Sequence, residues 1–171
     1  MFIINYKINS DQLISSELVP EIYGFIELLI GSNVYGWYPT SPVPFEGSDL
    51  LSTWFEQLSE TACLLNNHSL VLINDITSYN TWLSFNNIEE ERVEISELIF
   101  DKPDGSKAVV TQPIPESTLG KISNITVNIT DLKKEISTKT TQFLSEILIN
   151  NPLYGHIPWV LRIQDNLSKI I

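Results

Sequence analysis

Few side chains in this sequence have the types and spacing that chemistry needs. His68 and His156 are the only histidines, and each lies in a turn-like segment, Asn66-Asn67-His68-Ser69 and Tyr154-Gly155-His156-Ile157. Neither has a cysteine, a second histidine or a carboxylate at a recognisable ligand spacing, so both read as loop histidines and no metal site is expected. Cys63 stands among Ala62, Leu64 and Leu65 with no cation near in sequence to lower its pKa. It reads as a buried, inert thiol rather than a nucleophile. Glu56 and Glu60 form an i, i+4 pair that can serve acid/base or metal chemistry, but opposite Trp54 and Phe55 they read as the solvated side of a helix. Asn74-Asp75 follows an apolar run, and with no partner residue in view it reads as turn-forming. Seven glycines include no phosphate-cradling loop, which removes Walker and Rossmann sites and leaves no cofactor expected. No catalytic residue is assigned.

The densest group of ionisable residues is Glu89, Glu90, Glu91, Glu94 and Glu97, continued by Asp101 and Asp104. Seven acids against Arg92 and Lys102 leave this sixteen-residue stretch at −5. Such a run is either a solvated hairpin whose charge keeps sheet edges apart or a docking face for a basic protein, where carboxylates steer encounter. In the second reading Trp82 and Phe85, just upstream, supply aromatic anchors.

The charge distribution favours a basic partner. Residues 1–100 hold fourteen acidic and two basic residues, a balance of −12, while 101–171 are near neutral at +1. With a sequence pI near 4.5, the surface repels phosphate, so nucleic acid is not an expected partner. A 43 % hydrophobic content with four tryptophans exceeds what a disordered chain carries. At 171 residues the chain fits a single domain, 1–171. One cysteine excludes an intramolecular disulfide. The start, Met1-Phe2-Ile3-Ile4-Asn5-Tyr6-Lys7, lacks the form of a signal peptide, and no apolar run reaches membrane-spanning length. The expectation is a cytoplasmic protein without membrane association.

The elements that must position these groups follow from periodicity. Residues 2–8 and 22–30 read as strands, with Gly31-Ser32-Asn33 turning into 34–38 as a hairpin. Thr40-Ser41-Pro42-Val43-Pro44 reads as a loop. Ser48 is placed as an N-cap with Asp49 in the first turn of a helix over 48–65, whose apolar face is Leu51, Trp54, Phe55, Leu58, Ala62 and Leu65. Strands are expected at 69–73, 81–85, 92–96 and 107–111, forming an antiparallel meander with a turn at 101–105. A last strand at 124–129 leads into a helix opened by Thr130-Asp131, with the face Leu132, Ile136, Phe143, Leu144 and Ile147, closed by Asn151-Pro152. A third helix enters through Pro158. The order predicts an α+β fold, a mostly antiparallel sheet with helices packed on one face. Trp54, Phe55 and Leu58 should then lie buried against Val71, Ile73 and Val93.

Gly24-Phe-Ile-Glu-Leu-Leu-Ile-Gly-Ser-Asn-Val-Tyr-Gly-Trp-Tyr-Pro39, Thr130-Asp-Leu-Lys-Lys-Glu135 and Phe143-Leu-Ser-Glu-Ile-Leu-Ile-Asn-Asn-Pro152 resemble the small immunity proteins of bacterial polymorphic-toxin and contact-dependent growth inhibition systems. The resemblance covers about half the chain and includes no diagnostic motif. It implies a non-enzymatic cytoplasmic protein that binds one cognate toxin domain, often a nuclease, and blocks its active site or another essential surface. Charge points the same way independently, since nucleases that bind phosphate are basic. Two other classes stay open: an adaptor or binding subunit using the same acidic face, and a small enzyme assembling a pocket from scattered residues such as Asp75, Glu56 and His156.

Overall fold

The first strand, β1 (Phe2–Ile8), alternates inward and outward side chains and lies antiparallel to β2 (Tyr23–Ile30), with Phe2 opposite Ile30 and Ile8 opposite Gly24. In this computed structural model, residues 1–9, 11–12, 20–40, 47–101 and 107–170 are described. A two-residue turn joins β2 to β3 (Asn33–Gly36), where Ile30 pairs with Asn33. Gly31 takes φ +64° there, the positive value that the first central position of a type II′ hairpin requires. The expected 34–38 strand ends early, at Gly36. A two-residue strand, β4 (Asp49–Leu50), completes this four-stranded sheet by pairing with β2.

That pairing overturns the N-cap placed at Ser48. Asp49 and Leu50 hydrogen-bond to β2 instead of entering a helix, and α1 (Leu51–Leu64) begins after them with no side-chain cap. Its end is satisfied by the sheet: the Ser52 N–H donates to the Ile22 carbonyl at 3.3 Å, and the Ser52 hydroxyl accepts from the Ile22 N–H at 3.3 Å. The Asp49 carboxylate is thereby released from a capping role and left at the sheet edge.

Beyond α1 come β5 (Leu70–Asn74), β6 (Thr81–Glu89) and β7 (Arg92–Ile99), an antiparallel meander as expected. β8 (Val109–Val110) returns to pair with β5, while β9 (Thr118–Leu119) and β10 (Ile125–Asn128) pair with opposite ends of the β7 edge that faces away from β6. The expected strand at 107–111 shortens to two residues, and β9 has no counterpart in the sequence reading. Most of the turn placed at 101–105, and the 41–44 part of the proline loop, lie outside the described residues.

Asn128 caps α2 (Ile129–Asn150), its side-chain oxygen accepting from the N–H groups of Thr130 at 2.9 Å and Asp131 at 3.1 Å. Asn151 caps a short 3₁₀ turn over Pro152–His156, and α3 (Pro158–Lys169) follows with Pro158 in its first turn. The protein is an α+β fold. Among the described residues all strand pairs are antiparallel, but in two sheets rather than one. A single apolar cluster draws on both, including Ile4, Leu28, Trp54, Phe55, Val71 and Phe143. Trp54, Phe55 and Leu58 are buried in one cluster with Val71, Ile73 and Val93, as the periodicity predicts. No helix among the described residues is long and apolar enough to cross a membrane.

One tight contact locks the first sheet to α1. A Cβ on Gly24 would stand 2.2 Å from the Lys7 carbonyl oxygen and 2.5 Å from Leu51 Cδ1. Gly24→Ala therefore forces β1 or α1 to move, and a loss of about 1–3 kcal/mol is expected in urea unfolding, as for other overpacked sites. A stability equal to the parent's would show that the approach is looser than these distances.

Candidate functional site: an acidic cleft between the two sheets

Strand alternation divides the acidic run. Glu89, Glu90 and Glu91 sit exposed at the β6–β7 tip, where a register shift between Asn87 and Glu89 marks a bulge. Arg92 pairs with Glu89 at 3.6 Å, both side chains more than 60 % exposed. Glu94 and Glu97, three residues apart on β7, necessarily face opposite sides of the sheet. Glu94 faces the side bearing Pro113, Ile114 and Leu119. Glu97 faces the other side and enters a cleft. Asp101 is exposed past the end of β7, and Asp104 lies outside the described residues.

The aromatic anchors require correction. Trp82 is 3 % and Phe85 0 % exposed. Phe85 belongs to the central apolar cluster and Trp82 is buried on the opposite face of β6. Their β-strand setting makes both part of the packing, so neither offers a partner any surface.

The cleft, of about 370 Å³, opens between the sheets. Asp49 reaches it from β4, Asp75 from the turn after β5 and Glu97 from β7, with Tyr35, Trp37, Thr77 and Lys121 around them. Each carboxylate is held by donors of its own. The Lys121 and Ile122 N–H groups donate to Glu97 Oε2 at 2.7 and 3.3 Å. Asp75 Oδ1 accepts from the N–H groups of Thr77 at 3.0 Å and Ser78 at 3.1 Å, so its reading as a turn former is borne out, while its Oδ2 accepts from the Tyr35 hydroxyl. The Thr77 hydroxyl lies between two carboxylates, 2.9 Å from Asp75 Oδ1 and 3.4 Å from Asp49 Oδ2, with one proton to give.

The electrostatics record this convergence. Burial pushes the Tyr35 phenol well above its ordinary range, and the charges of Asp75, Glu97 and Asp49 push the same way. Burial also raises Asp49, with the Asp75 charge adding to it, against hydrogen bonds from the Leu50 N–H and the Thr77 hydroxyl that lower it. A carboxyl whose folded pKa is raised binds more protons folded than unfolded, so stability falls as pH rises from the ordinary carboxylate range through the raised value. Asp49→Asn keeps the acceptor for Leu50 and removes that fall. Its stability curve should therefore be flatter than the parent's as pH rises above the ordinary carboxylate range, with no loss at neutrality. Urea midpoints measured over that rise decide it; a variant less stable at pH 7 would mean the ionised carboxylate is a net stabiliser.

The other residues considered for chemistry are dispersed. Glu56 accepts from Arg162 Nε and, at 3.1 Å, from Nη2, joining α1 to α3, so this glutamate is an interhelical partner rather than part of a solvated face. Glu60 beside it is half-buried and raised, first by desolvation and then by the Glu56 charge, with Arg162 opposing. His68 and His156 are exposed, and Cys63 is half-buried rather than buried. Among the described residues no three His, Cys, Asp or Glu side chains are grouped to hold a metal ion.

Sequence reasoning missed the cleft as a unit. In the sequence Asp49 reads as part of a helix terminus and Glu97 as part of a continuous charge run, and only Asp75 carries a local signal, the Asx turn. The chain matches no protein-family model, no curated protein and no solved structure.

Proposed function

We propose that this is a non-enzymatic binding protein that docks a basic protein through its acidic surface and neutralises it, in the manner of the immunity proteins its sequence resembles, with a toxin domain as the partner and the cytoplasm as its compartment. The observation that carries this reading is the fate of the carboxylates. Three stand exposed at the β6–β7 tip, and three more from separate chain segments converge on an open cleft edged by the half-exposed Trp37. A surface negative in two places, with an aromatic beside one of them, has the composition of an interface for a basic protein. An adaptor role in another complex would use the same groups, and partner identity separates the two. Co-expression with the toxin domain encoded next to its gene should protect cells. A chain that gives no protection and no complex with that toxin is not an immunity protein.

A further inference from the structure

Around the acidic cleft the chain exposes several large apolar side chains. Val34 is 56 % and Trp37 46 % exposed, and both line the opening. Tyr38 at 36 %, Ile76 at 41 % and Tyr79 at 85 % exposed lie within two residues of the lining residues Trp37 and Thr77. These side chains come from two separate segments, the end of β3 and the turn after β5. The Trp37 indole is also held in place. Phe25 meets it edge-on with ring centroids 5.3 Å apart and planes at 88°, and Gly47 passes so close that a Cβ there would be 3.0 Å from the ring. The Trp37 backbone is held too, its main-chain N–H donating to the Ile26 carbonyl at 2.8 Å. An exposed but fixed aromatic loses little freedom on binding, which is the property of an interface anchor.

Charge complementarity names what this surface takes. Among the described residues Asp49 and Glu97 form no ion pair within 4 Å, and Lys121 is the one cation of those that line the cleft. Their carboxylates are held by neutral donors, which leave lone pairs and an uncompensated field toward the opening. A compact ammonium group would satisfy charge alone. A guanidinium is planar, carries five donors in a fork, and stacks on aromatic faces, so it can meet carboxylates from different strands while lying against a fixed indole.

We propose that the exposed rim of the cleft at Val34 and Trp37, with the adjoining turns that carry Tyr38, Ile76 and Tyr79, is the docking surface for the basic protein partner, and that the cleft receives one arginine side chain of that partner. The ownership of the arginine rests on the function proposed above; the preference of the cleft for a guanidinium does not.

The test therefore has two arms. In the first, the full chain is titrated with N-acetyl-arginine amide, and separately with N-acetyl-lysine amide, while the Trp37 indole and Lys121 backbone resonances are followed by NMR. Saturable shifts with a Kd on the order of millimolar are expected for arginine, with lysine weaker. Glu97→Gln keeps the oxygen that accepts from Lys121 and Ile122 but loses the charge, and should weaken arginine binding about three- to fivefold. Lys121→Met removes the competing cation from an exposed position and should tighten it, an outcome that a misfolded variant does not produce. Absence of saturable shifts at Trp37, lysine binding as tightly as arginine, or arginine binding indifferent to both substitutions overturns the proposal.

In the second arm, Trp37→Ala and Glu97→Gln are assayed for complex formation with the toxin domain. Protection that survives both while failing when the hairpin tip is reversed in charge places the docking surface elsewhere and leaves the proposed function standing. Selective arginine capture by a chain that protects against no toxin removes the proposed function and leaves the cleft's specificity intact.

Discussion

Trp54→Ala should lower the unfolding free energy by about 3–5 kcal/mol, the range for truncating a large aromatic in a core. Trp54 is 2 % exposed, sits in the cluster that joins both sheets, and meets Tyr35 edge-on with ring centroids 6.0 Å apart. A loss of that size is a large fraction of the roughly 5–15 kcal/mol that stabilises a domain of this kind. The effect should reach the cleft as well, because Trp54 backs Tyr35, whose hydroxyl donates to Asp75. Urea unfolding with an unchanged m-value measures the stability change. Phe55→Ala should cost a similar amount, since Phe55 stacks on Phe143 at 4.3 Å and meets Tyr6 edge-on at 5.0 Å. A cost below about 1 kcal/mol at Trp54 would be incompatible with a side chain sealed in a packed interior.

Reversing Glu89, Glu90, Glu91 and Glu94 to lysine should slow association with a basic toxin by about ten- to a thousandfold, because steering by long-range charge acts on the on-rate. The parent's own association should slow in the same direction with salt, as the Debye length contracts from about 10 Å at 0.1 M to about 3 Å at 1 M. The structure refines the expectation. Glu89, Glu90 and Glu91 share the exposed tip, whereas Glu94 is half-buried beside a hollow lined by Pro113 and Leu119. The triple tip variant should therefore carry most of the effect and Glu94→Lys little of it. Stability should hardly change in the triple variant, since the one ion pair lost, Arg92 with Glu89, is exposed at both ends. Stopped-flow association at two ionic strengths separates the possibilities: an unaltered on-rate in the triple variant reduces the tip to a solvated hairpin.

The course of the chain was largely legible in advance. β1, the β2–β3 hairpin, the β5–β6–β7 meander and the three expected helices lie close to where apolar periodicity and turn residues place them. The departures have local causes. Ser48 and Asp49 have the composition of a helix start, but Asp49 and Leu50 find strand partners in Gly24 and Tyr23, and the helix yields those residues to the sheet. The second face of α1 was also invisible. Ser59 is buried beside the apolar stripe because α3 packs along that flank, Asn166 donating to the Ser59 hydroxyl at 3.2 Å, while Gln57 and Thr61 are buried on the other flank of the helix. Polar residues there read as solvent-facing until a second helix arrives.

What the sequence determined by itself is therefore the α+β class, the apolar face of each element and the strong acidity of the first hundred residues, because these depend on residues a few positions apart. What only the tertiary structure decided is which charges act together. A contiguous run of glutamates is dispersed by the twofold alternation of β7, which sends Glu94 and Glu97 to opposite faces, while Asp49, Asp75 and Glu97, more than twenty residues apart in each step, are gathered at one opening. Strand register and sheet-to-sheet packing set that proximity, and both are fixed by long-range pairing that no local pattern encodes.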